Sequence, residues 1–282
     1  MPAARVLDGR AIATIVRQEL RALASEYAER HGRPAGLAII CVGAQPASDV
    51  YVRQLLREAA NIGVRGSLVT LAEDIENEAL RAGIKALNED DETQGLLVQM
   101  PLPPQLSPRI VAEAVSPRKD VDGISMRSAG NLFLRYPSFV PATCAAVVEL
   151  LDRYDVPLSG QRVVIVGASN TVGKPLAFML LARDATITVC HIHTRDLAHW
   201  TRQADIVISA AGKAELLTGE MIRPGATVVD VGINIRSDGS IVGDVAFESV
   251  AQEAGAVSPV PGGVGPLTPL MALKQTLLTP HL

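Results

Sequence analysis

The chain has 282 residues, 48% of them hydrophobic and 20% charged, an ordinary globular composition long enough for two modest domains or one large one. Its net charge of −4 and pI of about 5.8 argue against a nucleic-acid binder, and no stretch approaches the ~20 apolar residues that a membrane span needs. Cys41, Cys144 and Cys190 lie far apart and outside any C-x-x-C pair, so neither a zinc site nor a disulfide framework is expected, and a reducing, cytoplasmic setting is.

From Asp8 the chain reads as an amphipathic helix, with Ile12, Ile15, Val16, Leu20, Leu23 and Tyr27 at helical spacing and Gly32 as its stop. GLAIICV (36–42) is a continuous apolar run, as for a strand buried on both faces. A helix follows, with Ser48 as N-cap, Asp49 in the first turn, YVRQLLRE (51–58) in its body and Gly63 at its end. SLVT (67–70) reads as a strand, 75–88 as a helix, GLLVQM (95–100) as a buried strand stopped by PLPP, and SPRIVAEAV (107–115) as a short helix. Residues 123–141, with Pro137 and Pro141, read as loop.

A helix capped by Thr143 spans 143–156, and a second alternation follows: strand 162–167, helix 173–182, strand 185–190, helix near 196–203, strands 205–210 and 226–232, and a last helix over 266–278. Strand–helix alternation marks parallel α/β sheets. The expected fold is therefore two α/β domains: a parallel-sheet domain over 1–142 plus 266–282, to which the last helix returns, and a Rossmann-fold nucleotide-binding domain over 143–265.

Several segments carry candidate chemistry. In VVIVGASNTVGKP (163–175) a strand ends at Gly167 and a helix opens near Val172–Gly173, the setting in which helix N-terminal amides hold a pyrophosphate. Ser169 stands where the usual pattern has its middle glycine, so a plain structural turn is the alternative; Lys174 is either a phosphate contact or a solvated side chain. The next strand ends VCHIHTRD (189–196) without an acid for a ribose, leaving Ile192 and His193 there and Arg195 nearby. His191 and His193 lack Cys or carboxylate partners, so no metal is expected. SPVPGGVGPLTPL (258–270) makes a rigid turn with bare amides, either a tight connection or a loop that lets ligands approach the backbone. Gln99 in QMPLP lies at the carboxyl end of a strand, where open α/β sheets bind ligands, and Asp122 in KDVDGI could hold a polar heterocycle; taken alone, each of these segments serves a structural role as readily as a functional one.

Together and in order, PAS-x-x-YV (46–52), VQMPLP (98–103), KDVDG (119–123), G-x-S-x-x-VG-x-P (167–175), VDVGIN (229–234), GDV (243–245) and PVPGGVGPLT (259–268) resemble the bifunctional methylenetetrahydrofolate dehydrogenase/cyclohydrolase family. The resemblance runs from VLDG (6–9) to the final helix. It implies a homodimer whose two domains flank a cleft for tetrahydrofolate. It also implies NADP-linked oxidation of 5,10-methylenetetrahydrofolate to the methenyl cation, then water addition to 10-formyltetrahydrofolate. By the same resemblance Tyr51 and Asp122 hold the folate, Gln99 belongs to the catalytic cluster, and Pro261, Gly262 and Gly263 line the substrate. Gly167, Ser169, Thr171, Val172, Gly173 and Pro175 cradle the cofactor phosphates, Ile192 and His193 stand near its ribose, and Ala211, Gly212, Gly232, Ile233 and Thr268 line the nicotinamide.

The chain also departs from that family. The pattern Tyr-Val-x-x-Lys ends here in Leu55, at the place of the family's catalytic lysine. Leucine can neither give nor take a proton, and Arg57 points elsewhere on a helix and stays protonated. Hydride transfer is expected to survive and the cyclohydrolase step to be weak or lost. Ala168 and Ile192 stand where the family usually has residues that meet a 2′-phosphate, so the cofactor is NADP or NAD. PATC (141–144) and GDVAF (243–247) replace PCTP and GDVDF. The competing readings are a dehydrogenase for another one-carbon carrier or modified folate, and a binding relative without turnover.

Overall fold

The structure, a computed structural model, describes residues 4–43 and 46–278; the side chains of 46–49, and with them the capping expected of Ser48 and Asp49, lie outside the described residues. The chain forms two compact units: Thr14–Ala142 with the chain from Pro269 onward, and the residues up to Ala13 with Thr143–Thr268. In chain order, β1 (Arg5–Val6) belongs to the second of these, and α1 (Gly9–His31) runs from the second into the first. Asp8 opens α1 by accepting the amides of Arg10 at 2.8 Å and Ala11 at 3.2 Å, the usual way a cap serves orphan N–H groups. Ile12, Val16, Leu20 and Ala24 are buried along α1, whereas Ile15, expected in the apolar stripe, is 45% exposed. It lies one position round the helix from Val16, at the edge of the arc.

The first unit is built on a three-stranded parallel sheet, β3–β2–β4. Its elements are β2 (Gly36–Val42), α2 (Pro46–Ile62), β3 (Arg65–Leu71), α3 (Asn77–Glu89), β4 (Gly95–Val98), α4 (Pro108–Ala114) and α5 (Met126–Leu134). Ala38, Ile40 and Val42 pack with Leu80, Ile84, Val98 and Val111 on one side of the sheet. Leu37 and Ile39, pointing the other way by strand alternation, are fully buried too. That double burial is why β2 reads as a continuous apolar run. The lysine of KDVDG closes α3: Lys119 Nζ donates to the carbonyls of Leu87 at 3.0 Å and Asp90 at 2.6 Å, at the negative end of the helix.

Helix α5 corrects the expectation of loop over 123–141. Ser125 Oγ accepts the amide of Ser128 at 3.1 Å to start it, and Arg135 ends it at φ 61°. The helix buries Ser128 and leaves Met126, Phe133 and Leu134 exposed, so its sequence shows no apolar stripe.

The second unit contains α6 (Ala142–Arg153), β5 (Arg162–Val166), α7 (Gly173–Leu181), β6 (Thr186–Cys190), α8 (Leu197–Thr201) and β7 (Ile206–Ser209). It continues through a 3-10 turn (Gly219–Met221), β8 (Thr227–Asp230), a hairpin of β9 (Asn234–Ile235) and β10 (Ile241–Val242), α9 (Phe247–Glu253) and β11 (Ala256–Val257). The last helix, α10 (Thr268–Leu277), has all but its first residue in the first unit. The main sheet is parallel, in the order β1–β11–β8–β7–β5–β6. Helix α6 starts at Ala142, one residue before its expected cap Thr143. Strands β1 and β11 each span two residues, too few for a period-2 signal; β1 pairs with β11, and β11 pairs in turn with β8.

Candidate functional site

In the first unit, Tyr51 and Leu55 stand one helical turn apart on α2. Leu55 is 0% exposed, among the largest fully buried side chains. Gln99 lies just past β4, where its amide extends the sheet to Ile40 O at 2.8 Å and its Nε2 donates to Met100 O at 2.6 Å. Asp120 bridges Leu96 in parallel, so the chain bearing Asp122 emerges, like Gln99, at the carboxyl edge of this sheet. Asp120 fixes that turn by accepting the amides of Ile124 at 2.9 Å and Ser125 at 2.8 Å.

Asp122 Oδ1 accepts the amide of Ala142 at 3.2 Å. Burial lifts its pKa to about 6, the Ala142 bond opposes the shift and the Asp120 charge adds to it. The Tyr51 phenol is raised above its ordinary value by burial and by the charge of Asp122. The structure thus couples Tyr51 with Asp122: a phenol held protonated beside a carboxyl group that exchanges its proton near neutrality, the pairing of environments that acid–base chemistry uses. Leu55 adds an apolar, buried group to the same helix.

In the second unit the turn from β5 to α7 is bounded by two glycines in close approach. A Cβ at Gly173 would stand 1.9 Å from Gly167 O, and one at Gly167 would stand 2.2 Å from Ala210 O. Ser169 Oγ accepts the amides of Val172 at 3.1 Å and Gly173 at 3.5 Å, so this serine caps α7. Thr171 and Ser169 are exposed, Pro175 is buried in the first turn, and Lys174 Nζ donates to Asn170 Oδ1 at 2.7 Å. Cys144 Sγ holds the turn from behind, donating to Val172 O at 3.3 Å. Past β6, Ile192 is 93% exposed and His193 is exposed. The next acid, Asp196, caps α8 through the His199 amide at 3.1 Å.

The loops after β7 and β8 are held by two buried carboxylates that the motifs contained but sequence reasoning gave no role. Asp244 accepts Ser209 Oγ at 3.1 Å, the amides of Ala211, Gly212 and Lys213 at 2.6, 3.1 and 2.9 Å, and Asn234 Nδ2 at 3.0 Å. Asp230 accepts the amides of Gly232 at 2.9 Å and Val245 at 2.9 Å. Burial raises its pKa to about 6, with the Asp244 charge adding to the shift and its amide bonds opposing it. Ala211, Gly212 and Gly232 are thereby brought together, while Ile233 points outward, 67% exposed. Pro261, Gly262 and Gly263 form a turn closed by the Gly263 amide on Pro259 O at 2.7 Å, and Thr268 follows it at the start of α10. The signal for Asp244 was present: an acid after glycine in GDV, spaced behind VDVGIN, in a chain where buried carboxylates need several donors.

The first unit, with a phenol–carboxyl pair at its sheet edge, and the second, a parallel sheet with a glycine-bounded βα turn, define a two-unit α/β protein of the nucleotide-linked class. The tight turn, the exposed hydroxyls of Ser169 and Thr171, and Lys174 on its rim fit a dinucleotide's phosphates. The sequence matches the tetrahydrofolate dehydrogenase/cyclohydrolase catalytic domain over residues 7–122 and the NAD(P)-binding domain of the same family over 141–281. The bifunctional protein FolD of Heliobacterium modesticaldum is 49% identical over 274 residues, 97% of this chain and 95% of that one. The crystal structure of the bifunctional FolD methylenetetrahydrofolate dehydrogenase/cyclohydrolase of Campylobacter jejuni superposes with a TM-score of 0.96 at 42% identity, covering 98% of each chain. The Trypanosoma brucei enzyme, complexed with NADP cofactor and inhibitor, gives 0.94 at 39% identity, covering 99% of this chain and 98% of that one. The chain belongs to the tetrahydrofolate dehydrogenase/cyclohydrolase family.

Proposed function

We propose that this protein oxidises 5,10-methylenetetrahydrofolate to 5,10-methenyltetrahydrofolate with NADP⁺ or NAD⁺ in one-carbon folate metabolism, and that its cyclohydrolase step is weak or absent. The observation that carries the second part is Leu55, apolar and fully buried on the helix that bears Tyr51. In this reading the unit of Thr14–Ala142 binds the folate, with Asp122 on the pterin, Tyr51 packed against the ring system, and Gln99 beside the reacting carbon. Pro261, Gly262 and Gly263 complete the substrate's surroundings.

The nucleotide, when bound, supplies the acceptor for the hydride that leaves the methylene carbon. Gly167, Ser169, Thr171, Val172, Gly173 and Pro175 would hold its phosphates, Ile192 and His193 its ribose side, and Ala211, Gly212, Gly232, Ile233 and Thr268 its nicotinamide. Alignment alone accounts for much of such a step. Opening the methenyl ring needs a water to add, a proton to leave it and a proton to reach the departing ring nitrogen. A positioned acid–base group typically contributes about 10²–10⁴-fold there, and leucine contributes none of it.

One time course tests the reading: the protein, 5,10-methylenetetrahydrofolate and either NADP⁺ or NAD⁺, with reduced nicotinamide and methenyl product resolved spectrally. Methenyl accumulating in step with reduced cofactor, beyond its spontaneous hydrolysis, supports it. If both cofactors stay oxidised, the substrate is another one-carbon carrier or the protein only binds. A cyclohydrolase rate close to the dehydrogenase rate sinks the role given to Leu55. The homodimer and the cytoplasmic setting belong to the same reading, and sedimentation and cell fractionation check them.

A further inference from the structure

Gln275, on the last turn of α10, makes three hydrogen bonds with one amide. Its Oε1 accepts the amide of Val140 at 2.8 Å, and its Nε2 donates to Val140 O at 2.9 Å and to Val121 O at 2.7 Å. Both donors and an acceptor are used, and only a carboxamide offers that set at one point. The two segments it grips are the ones that place Asp122. Val121 is the residue before Asp122. Val140 stands two residues before Ala142, whose amide the Asp122 carboxylate accepts at 3.2 Å.

The same two segments also touch directly. A Cβ at Gly123 would stand 2.7 Å from Val140 C and 2.8 Å from Pro141 N, and Gly123 takes φ 58°, so glycine is required on both counts. On the far side Asp120 pins Ile124 and Ser125. Asp122 therefore sits in a closed ring of contacts: Gln275 to Val121, Gln275 to Val140, Gly123 to Val140, and Asp122 to Ala142. Every other link is backbone or belongs to the KDVDG turn itself. Gln275 is the link that comes from outside it, 154 residues from Val121.

We infer that Gln275 is a positioning residue, which sets the place of the Asp122 carboxylate by holding together the two backbone segments that carry it. This rests on the folate reading of Asp122 and adds the part that the C-terminal helix plays in it. Truncating the amide leaves Val140 N–H, Val140 O and Val121 O without partners, and the two segments part. Because Gln275 acts through Asp122, its effect on folate binding disappears once the carboxylate has gone.

The test is a double-mutant cycle on tetrahydrofolate affinity, measured anaerobically by calorimetry, with wild type, Gln275→Met, Asp122→Asn and the pair. Gln275→Met is expected to weaken tetrahydrofolate binding about 10-fold or more, to leave NADP⁺ or NAD⁺ affinity unchanged, and to add less than about 2-fold in the Asp122→Asn background, the non-additivity expected of a shared interaction. An equal loss in both backgrounds, or none in either, overturns the inference. Hydrogen exchange at the Ala142 amide gives a readout without folate: protection by Asp122 falls in Gln275→Met if the clamp is real and stays if it is not. A wild type that binds no tetrahydrofolate refutes the folate reading, and the exchange result then still decides the clamp. Where Gln275→Met does not fold, Gln275→Asn keeps the amide, withdraws it by one methylene, and is read in the same way.

Discussion

The Oδ1 of Asp230 accepts the backbone amide of Asp244 at 3.1 Å, so two buried carboxylates are chained through one peptide group. Asp244 is fully buried and receives its bonds from β7, from the loop after it and from Asn234. A carboxylate is the only side chain of that size with acceptors alone. Asp244→Asn puts an NH₂ against donors that already point at it. We expect a stability loss of about 2–4 kcal/mol in a urea melt, and a rise in the dissociation constant for NADP⁺ or NAD⁺ because the Ala211–Gly212 loop loses its anchor. An unchanged cofactor affinity in the folded variant argues that this loop does not meet the nucleotide.

Asp122 gives a pH prediction. Its folded pKa is raised to about 6, chiefly by burial, against about 3.9 for an unfolded aspartate. The folded state therefore prefers the protonated acid. The penalty for ionising it is absent below about pH 4, grows between the two values and is complete above about pH 6, so this group's contribution lowers stability as pH rises. Asp122→Asn removes the penalty and keeps an oxygen for the Ala142 amide. The variant should match wild type at pH 4 and exceed it by at most about 2–3 kcal/mol at pH 8, while losing turnover. Equal stability at both pH values contradicts the raised pKa.

Leu55→Lys restores a titratable group one turn from Tyr51. The site is fully buried, so the ammonium is desolvated, its pKa falls, and the melting temperature drops by several degrees. If the missing lysine is what limits the second step, the cyclohydrolase rate rises by about 10-fold or more. Leu55→Met conserves volume and brings no proton, and should change neither rate. A gain with methionine as large as with lysine points to packing and not to proton transfer.

Gly173→Ala tests the nucleotide turn. The added Cβ meets Gly167 O at 1.9 Å, backbone against backbone, so the turn must open. Cofactor affinity should fall at least about 10-fold, the equivalent of 1.4 kcal/mol, with the first unit's tetrahydrofolate affinity unaffected. Equilibrium binding of each ligand separately checks this.

Ile192 stands fully in solvent at the end of β6, with His193 and Arg195 exposed beside it and Asp196 engaged in capping α8. No acid is left there for a ribose hydroxyl. Ile192→Arg should raise the preference for NADP⁺ over NAD⁺ by about 10-fold through a charge-assisted bond to a 2′-phosphate. Steady-state constants with each cofactor measure the ratio.

Some of this was legible in the residues. Long periodic segments announced themselves: α1, the doubly buried β2 and the β5–turn–α7 run need no partner to be recognised, because helix and strand periodicity are local. Helix α5 escaped because its apolar residues face outward, and β1 and β11 escaped because two residues carry no period. Asp244 and Gln275 escaped for another reason. Gln275 bonds groups 135 and 154 residues away, and Asp244 gathers Asn234 from 10 residues away and the β7 loop from 31 to 35 away, distances that helix and strand periodicity do not reach.

Residue type and near neighbours were enough for the long strands and helices, the glycine-bounded turn, and the absence of a proton-carrying group at position 55. Folding alone settled that Leu55 is sealed from solvent, that the Asp122 charge adds to burial in raising the Tyr51 pKa, and that Asp244 and Gln275 tie distant segments together. Burial, electrostatic coupling and hydrogen-bond closure depend on distances in space, which chain order leaves open until the units have folded.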